Sequence, residues 1–232
     1  MAGDSKFNFA EWLRSATGVF WKDFRSELRT RYALNALVMF VVTTLSIVLF
    51  SMTEENVAVD VLAGILWVVI FFSAMSGLSR TFVNEEERGT VMTLHLLASP
   101  SAIFFGKLFV NLALVFFLNT LVVVLYLLLI NGFAIQSYGI FVLTLLLGST
   151  GLASAATIIA AIIAKANTKG TLYPVLSFPI LLPLLLTVMN GTKLATGPAS
   201  LSDAAVEFRI LISYSVVVTA ASYLLFEYVW KD

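Results

Sequence analysis

Six apolar runs, each long enough to cross a lipid bilayer, leave this chain few folds to choose from. A hydrocarbon core about 30 Å deep takes about 20 helical residues. The runs Ala33–Met52, Val61–Ser79, Leu108–Ile130, Ile140–Ala164, Thr171–Met189 and Ile210–Trp230 meet that length. None alternates apolar with polar residues as a barrel strand does, and lipid-exposed backbone must satisfy its own hydrogen bonds. Each run therefore predicts a transmembrane helix. Hydrophobic residues make up 59% of the chain and charged ones 12%, about half the charge of an average soluble domain. The expectation is an all-α integral membrane protein: an N-terminal segment, 1–32, followed by one six-helix bundle, 33–230. The charged segment precedes the first run and no small-residue cleavage site follows it, so that run is expected to remain as an anchor.

Charge gives the bundle a direction. Of 14 Lys and Arg residues, 12 fall on one side of the six runs, and the opposite loops hold only Lys193 and Arg209. The positive-inside rule then predicts both termini in the cytosol. It also makes the connection 80–101 (RTFVNEEERGTVMTLHLLASPS) a cytosolic surface.

Residues 7–28 are too charged to span. Phe9, Trp12, Leu13, Ala16, Phe20, Phe24 and Leu28 recur at helical spacing, with Glu11, Arg14, Lys22, Asp23 and Arg25 on the other face. Two readings stand: an amphipathic helix lying on the membrane surface, or one packed against protein. In the fourth run, Gly148, Gly151 and the serines and alanines around them permit close helix packing, against this chain or a second copy. In the fifth, Pro174, Pro179 and Pro183 each remove a backbone donor, which fits either a hinge or a static kink. Ser202 is expected to cap a short helix leading into the sixth run.

Several chemistries are excluded. There is no P-loop, no HExxH motif, no Ser/His/Asp set, no cysteine, and one histidine. A net charge of zero offers no field for nucleic acid. Ionisable residues are nearly absent from the runs, whereas self-powered carriers keep them at membrane depth. Energy must therefore come from a partner. His95, in a loop, is a poor candidate for a haem ligand, and Trp67 either packs in the core or stacks on a flat ligand.

The 80–101 connection is the natural place for that partner. A charged residue at bilayer depth costs about 2.5–3.5 kcal/mol, and Glu85, Glu86, Glu87 and Arg88 are consecutive. Asn84 is placed to cap a helix that begins with these acids. Val91, Leu94, Leu97 and Ala98 form a short apolar stripe ended by Ser99-Pro100. The expectation is one helix, from about Asn84 to Ala98, with an acidic head and an apolar docking face.

The pattern Gly64-Ile65-Leu66-Trp67, then Phe82-x-Asn84-Glu85-x-x-x-Gly89-Thr90-x-x-x-Leu94, Ser99-Pro100 and Lys107, resembles the CcmB family of haem exporter protein B. Leu143-Thr144-Leu145-Leu146-Leu147-Gly148, and Lys169-Gly170 before the proline-rich run, match as well. The family usually has an acid where this chain has Met92. No W-G-x-x-W-x-W-D stretch occurs, which separates the chain from the haem-handling sister subunit. The resemblance implies an ABC-2-like permease of bacterial cytochrome c maturation, non-catalytic and holding no cofactor itself. It implies two copies of this chain with two of a CcmA-type ATPase that binds ATP and Mg²⁺. Its further implied partners are CcmC-type and CcmD-type membrane subunits and a CcmE-type periplasmic haem chaperone. Phe82, Asn84 to Gly89, Val91, Leu94, Leu97 and Pro100 would form the coupling site, and Gly148, Gly151 and the three prolines would pack or move. An export permease for a lipid, glycan or drug, and a membrane scaffold without transport, are the alternatives at this point.

Overall fold

The computed structural model describes residues 8–29, 31–52, 57–87, 89–130, 132–165 and 172–231, with backbone only at 31–34, 84, 172–174 and 231. The described residues form helices and no strand: α1 Phe9–Arg29, α2 Arg31–Ser51, α3 Val59–Leu78, α4 Val83–Glu87, α5 Val91–Leu97, α6 Pro100–Leu129, α7 Tyr138–Ala164, α8 Leu172–Thr196 and α9 Ala205–Lys231. Five of these (α3, α6, α7, α8 and α9) are long and apolar enough to cross a membrane. Several such helices in one chain make this a multi-pass membrane protein.

The helices outrun the apolar runs that predict them. Ser99 accepts a hydrogen bond from the Ala102 amide at 3.4 Å and Pro100 takes the first helical position, so α6 starts eight residues before Leu108. Lys107 is thereby drawn inside the helix. At the opposite end α8 continues to Thr196 and α9 begins at Ala205. The expected separate helix at Ser202 is a turn instead, in which Asp203 accepts from the Ser200 amide and hydroxyl, both at 2.8 Å. Gln136 and Ser137 donate their amides to the Ala195 carbonyl, and Lys193 pairs with Asp60 at 2.7 Å, closing that end.

α7 is the central helix, packed on α6, α8 and α9. Its small residues explain why. A Cβ on Gly148 would fall 2.7 Å from Cη2 of Trp67 on α3 and 2.8 Å from Val188 on α8. One on Gly151 would fall 2.7 Å from Leu184 on α8 and 3.1 Å from Tyr214 on α9. The close neighbours of this helix thus belong to the same chain. Hydroxyls and amides tie the contacts: Asn119 Nδ2 donates to Ser149 Oγ at 2.8 Å, and Thr219 Oγ1 to Ser154 Oγ at 2.8 Å. Trp67 is a core residue, fully buried, with Nε1 donating to Thr192 Oγ1 at 2.8 Å.

α8 runs without interruption through Pro179 and Pro183. Pro174 lies in its first turn, where helix amides have no intrahelical acceptor to lose. α1 packs on the start of α6, with Ala16 and Val19 buried and Trp12 donating to Ser101 Oγ at 3.0 Å. Phe9, Leu13, Trp21 and Leu28 stay exposed. Packing on protein and an open apolar face therefore coexist on this helix.

Candidate functional site

Between α3 and α6 the chain forms two short helices where one is expected. Gly89 has φ +65°, and Gly89 donates its amide to the Glu86 carbonyl at 3.2 Å while Thr90 donates to the Glu85 carbonyl at 3.0 Å. This paired closure ends α4 and needs a residue at ease in the left-handed region. Because α4 begins at Val83, Asn84 is its second residue and not its cap. The Asn84 side chain, and Arg88 altogether, lie outside the described residues.

Glu85 turns inward. It is 7% exposed, and its Oε1 lies 2.5 Å from Lys22 Nζ on α1 and 3.2 Å from Lys107 Nζ on α6. Its other oxygen accepts from the Thr90 hydroxyl. Lys107, 1% exposed, also lies 2.8 Å from Asp23 Oδ2, donates to the Thr81 carbonyl at 2.8 Å, and sits 5.1 Å over the Phe82 ring. Burial works against ionised Glu85, but the charge of Lys107 and the bonds from Lys22 and Thr90 overcome it, lowering its pKa to about 2. Lys22 is shifted the other way. Burial opposes its charge, yet the hydrogen bond to Glu85 and the nearby Asp23 raise its pKa above the ordinary 10.5. Buried Lys107, half-exposed Lys22 and two carboxylates thus neutralise one another across α1, α4 and α6. They border a cavity of about 260 Å³ that also reaches Thr93 and Leu97.

From this group a polar path enters the bundle. Thr81 Oγ1 donates to Asn111 Oδ1 at 2.8 Å, and Asn111 Nδ2 donates to Thr157 Oγ1 of α7 at 2.9 Å. On its other flank the segment is held by aromatic rings. Phe82 is buried between Phe226 (5.5 Å) and Trp230 (5.6 Å) of α9, and His95 stacks on Trp230 at 5.0 Å and 22°. Lys165, at the end of α7, lies 3.6 Å from Glu86.

The apolar stripe is real, but its partner is largely this chain. Leu94 is buried, and Val91 and Ala98 pack on the core. The outward residues are Met92, Leu96 and Leu97, exposed by 71%, 80% and 72%. Of the acids, Glu87 faces out, Glu86 is half-buried, and Glu85 belongs to the interior. Pro100 opens α6. Gly148, Gly151, Pro174, Pro179 and Pro183 sit in α7 and α8, apart from this cluster.

Lys22, Asp23, Lys107, Asn111 and Trp230 are the residues that reading by segments missed. A signal existed: Lys107 and Asn111, four apart on an apolar helix, share one face and must find partners there. Among the described residues, no group of three or more His, Cys, Asp or Glu is placed to hold a metal ion.

No curated protein matches the chain. The family model for the CcmB protein matches residues 14–226, from the first turns of α1 to the last turns of α9. The chain therefore belongs to the CcmB family, the membrane component of a haem-exporter ABC system in cytochrome c biogenesis.

Proposed function

We propose that the α4–α5 segment is the element through which a CcmA-type ATPase drives this permease. The carrying observation is its two-sidedness. Met92, Leu96 and Leu97 present an apolar surface outward, while Glu85, Phe82 and His95 tie the same segment to α1, α6 and α9. A segment gripped on three sides passes on a push where a free loop would absorb it.

In this reading α2 is a sixth span, the positive-inside rule puts the α4–α5 end and both termini in the cytosol, and two copies assemble with two ATPase subunits. ATP and Mg²⁺ bind in the ATPase. Closure of its dimer would press on α4–α5, shift α6 and α9 against α7, and bend α8 at Pro179 and Pro183. The tight contacts at Gly148 and Gly151 would then rearrange in discrete steps. With CcmC-type and CcmD-type subunits, the cycle would release a haem-loaded CcmE-type chaperone for cytochrome c assembly.

Co-purification of the ATPase from membranes tests this. Met92→Glu together with Leu96→Glu is expected to abolish ATPase recovery and leave the amount of inserted protein unchanged. Full recovery with the double variant would remove α4–α5 as the receiving element. Reporter fusions after Ile130 and Ala164 should report opposite sides of the membrane, and a shared side would overturn the six-span topology.

A further inference from the structure

α1 packs on the first half of α6, with contacts that run from Trp12, bonded to Ser101, to Asp23, paired with Lys107. The helices touch at Gly106, where a Cβ would fall 2.7 Å from Val19 and 2.9 Å from the Ala16 carbonyl. Just deeper along α6, the contact leaves a corner. Leu13, Thr17 and Phe20 line it from α1, and Phe109, Ala113 and Phe116 from α6, enclosing a groove of about 430 Å³.

We infer that this groove holds an acyl chain of a membrane phospholipid. Its walls are hydrocarbon apart from the Thr17 hydroxyl, which donates to the Leu13 and Arg14 carbonyls of its own helix at 2.8 and 3.0 Å, and the Trp12 indole N–H, which donates to Ser101 Oγ at 3.0 Å. No group is left to bond a polar ligand. The α6 wall continues into Phe117 and Val124, which are exposed along a membrane-spanning helix, so the groove opens onto the bilayer. Size argues against a partner helix, which is about 10 Å across and would fill the volume in about one to two turns. An extended hydrocarbon chain fits along it. Arg14, exposed beside Leu13, and Arg25, whose guanidinium lies 5.7 Å over the Trp21 ring, supply positive charge on the same helix for a phosphate headgroup. The lipid would then act as a third surface in the α1–α6 contact.

The full chain in phospholipid vesicles can be photolabelled with a phosphatidylglycerol carrying a diazirine in its acyl chain, and the adducts mapped by mass spectrometry. Adducts are expected at Leu13, Phe20 and Phe116 in several-fold excess over Val216, an exposed position on α9. Filling the groove with Ala113→Phe should erase that excess and leave labelling at Val216 unchanged. Thr17→Leu fills it from the other side, in case Ala113→Phe disturbs the contact. Groove labelling that only equals Val216, or that ignores both variants, would overturn the inference. The chain has no native cysteine, so Thr17→Cys also gives a clean test of the rival occupant. A disulfide between two copies at that position would assign the groove to a protein interface.

Discussion

Glu85 and Lys107 meet at 3.2 Å, joining α4 to α6 through a contact in which neither side chain has appreciable access to solvent. Ionised groups in such a place are costly, and removing one partner leaves the other uncompensated, typically at about 3–5 kcal/mol. Lys107→Met should therefore lower the thermal stability of the detergent-solubilised protein by several degrees. Asp23→Asn combined with Lys107→Met should cost less than the two single changes added together, because one of the two carboxylates that Lys107 pairs with is gone. Strict additivity in that cycle would mean that the buried charges do not act as one group.

The same contact sets a pH dependence. The pKa of Glu85 falls from 4.5 to about 2 on folding, so its stabilisation is complete above about 4.5 and lost as pH drops towards 2. The stability gap between the native chain and Glu85→Gln should be flat from pH 7 to about 5, then narrow through that window. A gap that stays constant down to pH 3 would show that the carboxylate is not held in its charged form. Lys22 works at the other limit. Its raised pKa means that its share fades only as pH rises beyond 10.5.

Much of the bundle was readable from the chain, for a simple reason. In a membrane a helix is specified by length and apolarity alone, so α3, α6, α7, α8 and α9 announce themselves. Their ends do not, because caps such as Ser99-Pro100 extend helices into polar sequence that hydropathy discards. That is how Lys107, read as a loop cation ahead of its span, comes to be a buried ion-pair partner. Glu85 was legible as part of an acidic run, but run membership carries no direction. Only the Gly89 turn and the positions of Lys22 and Lys107 separate it from Glu87. Helical spacing picks out the better-patterned stripe, of which Val91, Leu94 and Ala98 face the bundle while Leu97 is exposed. Met92 enters only as a departure from the family's acid, and Leu96 carries no pattern at all.

Two glycines offer a contrast in sign. At Gly148 a methyl group would collide with Trp67 and Val188, both buried, so Gly148→Ala should cost about 1–3 kcal/mol as overpacking. Trp67→Phe makes room and should recover part of the loss in the double variant. Gly18, on the exposed side of α1, has no atom within 4 Å of its would-be Cβ. Gly18→Ala should stabilise α1 by up to about 1 kcal/mol through helix propensity. Thermal unfolding of the three variants reads both effects, and equal losses at the two glycines would contradict the packing described.

Gly89 tests whether the break between α4 and α5 matters for more than stability. A side chain at φ +65° costs about 1–2 kcal/mol, and no atom lies close enough to add a clash. Gly89→Ala should therefore be mild in the folded bundle, lowering the melting temperature by a few degrees at most. The turn nonetheless directs Glu85 inward and Met92 and Leu96 outward, so loosening it should weaken ATPase recovery more than it weakens the protein. Asn tolerates the left-handed region better than Ala, and Gly89→Asn should restore recovery ahead of Gly89→Ala. If both variants bind the ATPase as well as the native chain does, the angle between the two short helices is not what the partner reads.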